Sequence, residues 1–249
     1  MPSDAVVMES GSEWVAACQV QQRFMQRLGP TTPALDYSAR CRQLQELGGD
    51  CYEFTPLPAN RLALMVGDAS GKGLAAALMI ANVQSSLRTA ALFTGYTGAA
   101  AVEAVNRQVY GSSLADRYAT LFFGVFDRVT RILRYVNAGH QPPMVIRQDG
   151  SILWLETGGA PVGVFSDWAY EQGAVQLRPG DLVLAYTDGV IETVNPQGEE
   201  WGIEGLQRAA SESEARSAEE LVDAIFGSMD DFSCGTQTDD ATVAVLQVR

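Results

Sequence analysis

Apolar and polar positions along the 249-residue chain fall into two alternating kinds of stretch, one with helical spacing and one with strand spacing. Residues 13–28 contain no Gly or Pro, and Trp14, Cys18, Met25 and Leu28 recur near a helical period before Gly29-Pro30, so an amphipathic helix is predicted there. Leu35, Tyr37, Ala39 and Cys41 alternate with polar residues and predict a half-buried strand. Strands over 51–54 and 61–66 follow, joined by a turn whose composition is Pro-Leu-Pro-Ala-Asn. If these two form a hairpin, Asp50 and Asp68 share one edge of the sheet, at the start of one strand and the end of the other.

The stretch 74–93 is rich in Ala and apolar around most of its circumference, which predicts a helix buried against a sheet; 98–110 predicts a second helix beside it. Three strand pairs then read as antiparallel meanders: 120–126 with 132–136, 144–146 with 152–155 around Asp149-Gly150, and 174–177 with 182–186 around Pro179-Gly180-Asp181. Two further helices are expected over 203–211 and 217–229, the second opened by a capping box of Ser217 and Glu220, before a closing strand at 242–248. The order predicts an α+β fold, an αββα sandwich of two antiparallel β-sheets flanked by helix pairs. No Pro/Gly/Ser-rich linker divides the chain, so we expect an N-terminal helix or linker over 1–28 and one domain over 29–249.

Charge changes the picture in one respect. With 17 Lys and Arg against 30 Asp and Glu, the net charge is −13 and no basic cluster offers a footprint for nucleic acid. A phosphorylated partner would need local cations to approach such a surface. Four cysteines form no Cys-x-x-Cys pair, no signal peptide opens the chain, and no apolar run nears the ~18 residues of a membrane span; free thiols, a cytoplasmic location and no membrane partner are expected. His140 is the sole histidine, which excludes metal sites built on several imidazoles and leaves a serine triad without a suitable partner motif.

The chemistry concentrates at strand corners. Residues 67–73 read Gly-Asp-Ala-Ser-Gly-Lys-Gly between an apolar strand and the Ala-rich helix, with spacing that fits neither a nucleotide-binding P-loop nor a dinucleotide fingerprint. Asp50 follows Gly48-Gly49, Asp188 sits in Thr187-Asp188-Gly189, and Asp239-Asp240 precedes Ala241-Thr242. Carboxylates brought together repel unless protonated or shared by a cation, and all-oxygen donors select a hard divalent ion. An Asp beside Gly is also an ordinary turn former, and Lys72, the sole lysine, reads as readily as a charge partner of those carboxylates as a contact for phosphate.

These segments, with Asn137-Ala138-Gly139-His140, occur in an order that resembles the PPM-type metal-dependent serine/threonine protein phosphatases, in their bacterial sporulation stage II E and stress-response branch. The resemblance implies the αββα fold, two Mn²⁺ or Mg²⁺ ions, Asp68 bridging them, the Ala69 carbonyl and Asp50 serving one ion, and Asp188 and Asp239 serving the other. It implies Asp68, Asp188 and Asp239 as the catalytic set, with Asp240 either exchanging roles with Asp239 or supporting it. The reaction implied is hydrolysis of phosphoserine or phosphothreonine on a signalling protein such as an anti-anti-sigma-like factor. A homodimer through the N-terminal helix is one arrangement open to that helix, beside packing on its own domain or coupling to a sensor. The alternative is a catalytically silent phosphoprotein-binding module of the same fold. Eukaryotic members carry a phosphate-gripping Arg and a Glu before the first Asp, where this chain has Gly49, and a His where it has Ser70; grip and leaving-group protonation are unassigned.

Overall fold

In the computed structural model, residues 4–25, 34–94, 98–112 and 117–249 are described. Helix α1 is Asp4–Met25; strands β1 Leu35–Arg42, β2 Asp50–Leu57 and β3 Arg61–Ala69 follow. Helix α2, Leu74–Thr89, continues into a π-helical turn at Ala90–Thr94 and is followed by α3, Ala99–Ser112. Next come β4 Ala119–Asp127, β5 Ile132–Ala138, β6 Met144–Ile146, β7 Ile152–Trp154, β8 Gly158–Gly159, β9 Gly173–Gln176 and β10 Leu182–Tyr186. The chain closes with α4 Asp188–Ile191, α5 Gly202–Ser211, α6 Ala218–Ser233 and β11 Ala241–Val248.

One sheet runs β1-β11-β10-β6-β7 and the other β2-β3-β4-β5-β8, with β9 also on β5. Strand side chains alternate between two cores, which is why the central strands read as unbroken apolar runs. On β3, Leu62, Leu64 and Val66 enter the core between the sheets, whereas Ala63 and Met65 meet α2 and α3. On β11, Ala244, Leu246 and Val248 face the same inter-sheet core, whereas Val243 and Val245 pack under α5 and α6 with Trp201, Leu206, Ile225 and Phe226. The result is helix pair, sheet, sheet, helix pair.

Two expectations need correction. The strands at 174–177 and 182–186 are not a hairpin: β9 pairs with β5 in one sheet and β10 with β6 and β11 in the other, so the Pro179-Gly180-Asp181 turn carries the chain across the sandwich. Pairing is also not wholly antiparallel, since the two-residue β8 lies parallel to β5. Gly158 is required there, because a Cβ would collide with the Asn137 backbone.

Helix α1 extends further toward the N-terminus than its pattern predicts, and its C-terminal half packs on its own domain: Met25 is buried in the inter-sheet core and Gln84 of α2 donates to the Phe24 carbonyl. The expected helix stop at Leu28 to Pro30 lies outside the described residues. Among the described residues no helix is long and apolar enough to cross a membrane.

Candidate active site

The two-residue period of the strands carries the site. Asp50 pairs directly with Asp68 across β2 and β3, and Asp68 with Thr120 across β3 and β4. All three continue the rows whose other members, Tyr52 and Phe54, Leu64 and Val66, and Phe122, fill the inter-sheet core. On the opposite sheet, Thr187 continues the Val183 and Ala185 row and Thr242 the Ala244 and Leu246 row. The polar groups therefore gather where the apolar filling between the sheets ends.

Asp50 is 1% exposed and joins the two sheets: its Oδ2 accepts from Thr187 Oγ1 and Thr242 Oγ1, each at 2.7 Å. Thr187 Oγ1 also accepts from the Thr242 N–H at 2.9 Å, which fixes the Thr187 hydroxyl. Burial, with the Asp68 charge added, pushes the Asp50 carboxyl well above its usual range, against the pull of the two hydroxyls. Asp68 is pushed up to about 7 by burial and then by Asp188, Asp239 and Asp240, while Lys72 pulls it down. Burial and Asp239 raise Asp188 as well, opposed by the Gly189 N–H.

Asp239 and Asp240 occupy different surroundings. Asp239 is partly exposed and its Oδ1 lies 2.8 Å from Lys72 Nζ. Asp240 has both carboxylate oxygens engaged at 2.7 Å, by the Leu44 and Gly49 N–H groups, so it holds the 44–49 loop that delivers Asp50. Gly48 lies so close to this carboxylate that a Cβ there would be 2.5 Å from Asp240 Oδ2. Gln21 of α1 braces the same loop from the other side, donating to the Gly48 carbonyl at 2.7 Å and accepting from the Gly48 N–H at 3.2 Å. Ala69 ends β3 and donates to the Gly49 carbonyl at 3.0 Å.

The carboxylates share one corner without being drawn to one point. Among the described residues, no group of three or more His, Cys, Asp or Glu side chains is closed around a position that could hold a metal ion. Lys72 holds Asp239, and Asp188 and Asp239 each also accept from the N–H of the following residue, at 2.8 Å. Donor chemistry nevertheless fits a hard divalent cation: the groups are oxygens, carry excess negative charge and are perturbed by one another. His140 is placed differently. Its Nδ1 is 2.8 Å from the Oγ1 of Thr120, the strand partner of Asp68, and burial lowers its pKa to about 4, which favours the neutral ring.

Sequence reasoning assigned no role to Thr187, Thr242 or Gln21. The threonines were recoverable, because extending each strand's inward row by one more step reaches them; Gln21 carried no such signal.

The chain is similar to several characterised proteins. The family profile of stage II sporulation protein E (SpoIIE) matches residues 58–249. The phosphoserine phosphatase RsbU of Bacillus subtilis is 28% identical over 245 residues, covering 97% of this chain and 72% of RsbU. Among solved structures, the SiaA-PP2C domain of Pseudomonas aeruginosa superposes with a TM-score of 0.82 at 19% identity, covering 99% of this chain and 100% of that one. The RsbU and RsbW domains of Rv1364c from Mycobacterium tuberculosis give 0.73 at 28%, covering 88% of this chain and 61% of that one. Two other neighbours of this fold hold divalent cations: PstP with two manganese ions, at a TM-score of 0.63 and 19% identity, and RsbX with magnesium, at 0.68 and 15%. A match over most of the chain, which takes in Asp68, Asp188 and Asp239 of the acidic corner, settles the kinship: the chain belongs to the stage II sporulation protein E family of PP2C-type serine/threonine phosphatases.

Proposed function

We propose that this chain hydrolyses phosphoserine or phosphothreonine on a bacterial signalling protein at the Asp50, Asp68, Asp188 and Asp239 corner, using Mn²⁺ or Mg²⁺. The observation that carries this reading is electrostatic and geometric: the Asp50, Asp68 and Asp188 carboxyls gather at one end of the inter-sheet core, each with its pKa raised above the usual carboxylate range, with Lys72 as the neighbouring cation. Such a corner is stabilised by added positive charge.

Asp50, Asp68, Asp188, Asp239 and the Ala69 carbonyl would hold the cations. Once bound, the cations would supply an acidified water and neutralise charge on the phosphoryl oxygens. The protein's own contribution is positioning. Thr187 and Thr242 orient the Asp50 carboxylate, Asp240 and Gln21 fix the loop that presents it, and Lys72 competes with a cation for Asp239. Loading must displace the proton that Asp68, with its pKa pushed up to about 7, partly holds at neutral pH.

The substrate we propose is an anti-anti-sigma-like phosphoprotein, in a cytoplasmic setting that agrees with four unpaired cysteines. The N-terminal helix, whose outer face exposes Val15 and Val20, is proposed as the contact of a homodimer. A silent phosphoprotein-binding module is the second reading, favoured by the absence of a closed carboxylate group among the described residues. Phosphate release from a phosphoserine protein and from p-nitrophenyl phosphate, with Mn²⁺ or Mg²⁺ and with Asp68→Asn as control, separates the two. We expect release that the substitution abolishes; no release with either metal leaves the silent module.

A further inference from the structure

Among the described residues two cationic side chains stand against the 67–73 loop. Lys72 is engaged, by Asp239 and by the Thr238 carbonyl. Arg117 is held differently. The antiparallel register of β3 and β4 runs as far as Ala69 and Ala119, and the two chains stay together beyond it: Ser70 N–H donates to the Tyr118 carbonyl at 2.8 Å, Tyr118 N–H to Ser70 Oγ at 3.0 Å, and Arg117 Nη1 to the Ser70 carbonyl at 2.8 Å. This brings the guanidinium to the sheet end that bears Asp50 and Asp68. Gly71 makes room for it, with φ +89° and no Cβ, since a Cβ would collide with Nη1.

No carboxylate among the described residues pairs with Arg117, and its Nε is buried without a hydrogen-bond partner among them. A guanidinium left with donors to spare, at the mouth of an acidic site in a chain of charge −13, is matched chemically by a phosphate dianion, which its planar fork recognises through paired hydrogen bonds. We infer that Arg117 is the phosphate-binding residue, gripping the phosphoryl group beside Ser70 and Gly71 in the place of the Arg that the Gly48-Gly49-Asp50 segment lacks. This rests on the phosphatase reading but is measured apart from it.

Arg117→Gln removes the charge and keeps a polar but shorter side chain; Arg117→Lys keeps the charge. Two quantities are read for each, after melting curves without phosphate confirm folding: the melting-temperature rise caused by inorganic phosphate, and the phosphate inhibition constant and KM with p-nitrophenyl phosphate. Arg117→Gln should weaken phosphate and raise KM by about tenfold or more, the scale of one charge-assisted contact, and Arg117→Lys should lose less. Unchanged phosphate affinity in Arg117→Gln, equal losses in both variants, or a wild-type protein indifferent to phosphate would overturn the assignment. A protein that never turns over yet binds phosphate through Arg117 removes the hydrolytic reading and keeps this one; turnover with Arg117-independent phosphate affinity does the reverse.

Discussion

Two carboxylates in this molecule are equally hidden and oppositely treated. Asp181 and Asp50 are each 1% exposed. Asp181, at the turn that crosses the sandwich, is paired with the Arg147 guanidinium and accepts from the Arg178 N–H at 2.6 Å. Asp50, near the start of the other sheet, receives two hydroxyls and has the Asp68 and Asp240 charges near it. Glu53, on the same strand as Asp50 and 5% exposed, follows the Asp181 pattern, bound by Arg88 and Gln84. Asp181 and Glu53 are each given an Arg, whereas among the described residues hydroxyls alone meet the Asp50 carboxylate. Burial does not separate these three acids; the presence of a counter-charge does.

The sharpest way to break this contrast is to exchange its consequences. Asp68→Asn should lower phosphatase turnover by on the order of a thousandfold, the scale of one preorganised electrostatic group, without lowering the melting temperature, because it removes repulsion. A variant that loses stability but keeps its rate would place Asp68 with Asp181. Arg147→Ala should do the opposite, costing about 3–5 kcal/mol in chemical denaturation by stranding a buried charge, with kcat/KM unchanged in whatever protein remains folded. Thr187→Val and Thr242→Val, which strip the donors from Asp50, should weaken Mn²⁺ binding in calorimetry by about 10–100-fold; unchanged affinity would remove Asp50 from the metal site.

The smallest effect concerns pH. Asp68 is raised from an unfolded value near 3.8 to about 7, so the metal-free folded state holds the extra proton, and stability should fall as pH rises across that window. Mn²⁺ should accordingly raise the melting temperature more at the alkaline end than at the acidic end. An equal rise throughout would mean that Asp68 does not meet the ion.

Most of the sandwich was legible because strand side chains alternate strictly, and because Asp149-Gly150 and the Ser217 capping box name their own turns. The β9 to β10 connection was not, since Pro179-Gly180-Asp181 suits a hairpin as well as a crossing between sheets and local spacing cannot tell which neighbour a strand takes. At the site, Asp and Gly at strand ends marked the candidate positions, and the ordered motifs gave the family. What the pattern did not reveal is which acid serves which purpose: Asp239 and Asp240 are adjacent in sequence, yet a 44–49 loop nearly two hundred residues upstream takes both oxygens of the second. Arg117 was hidden for the same reason, its significance arising from a strand register rather than from any motif.

The tie from Asp50 to Thr187 and Thr242 spans the gap between the layers, one carboxylate oxygen on one side and two hydroxyls on the other. It acts as a rivet at the open end of the sandwich, so a pull on that carboxylate is felt as tension across the cleft, and the separation of the two layers becomes a gauge of what the pocket contains.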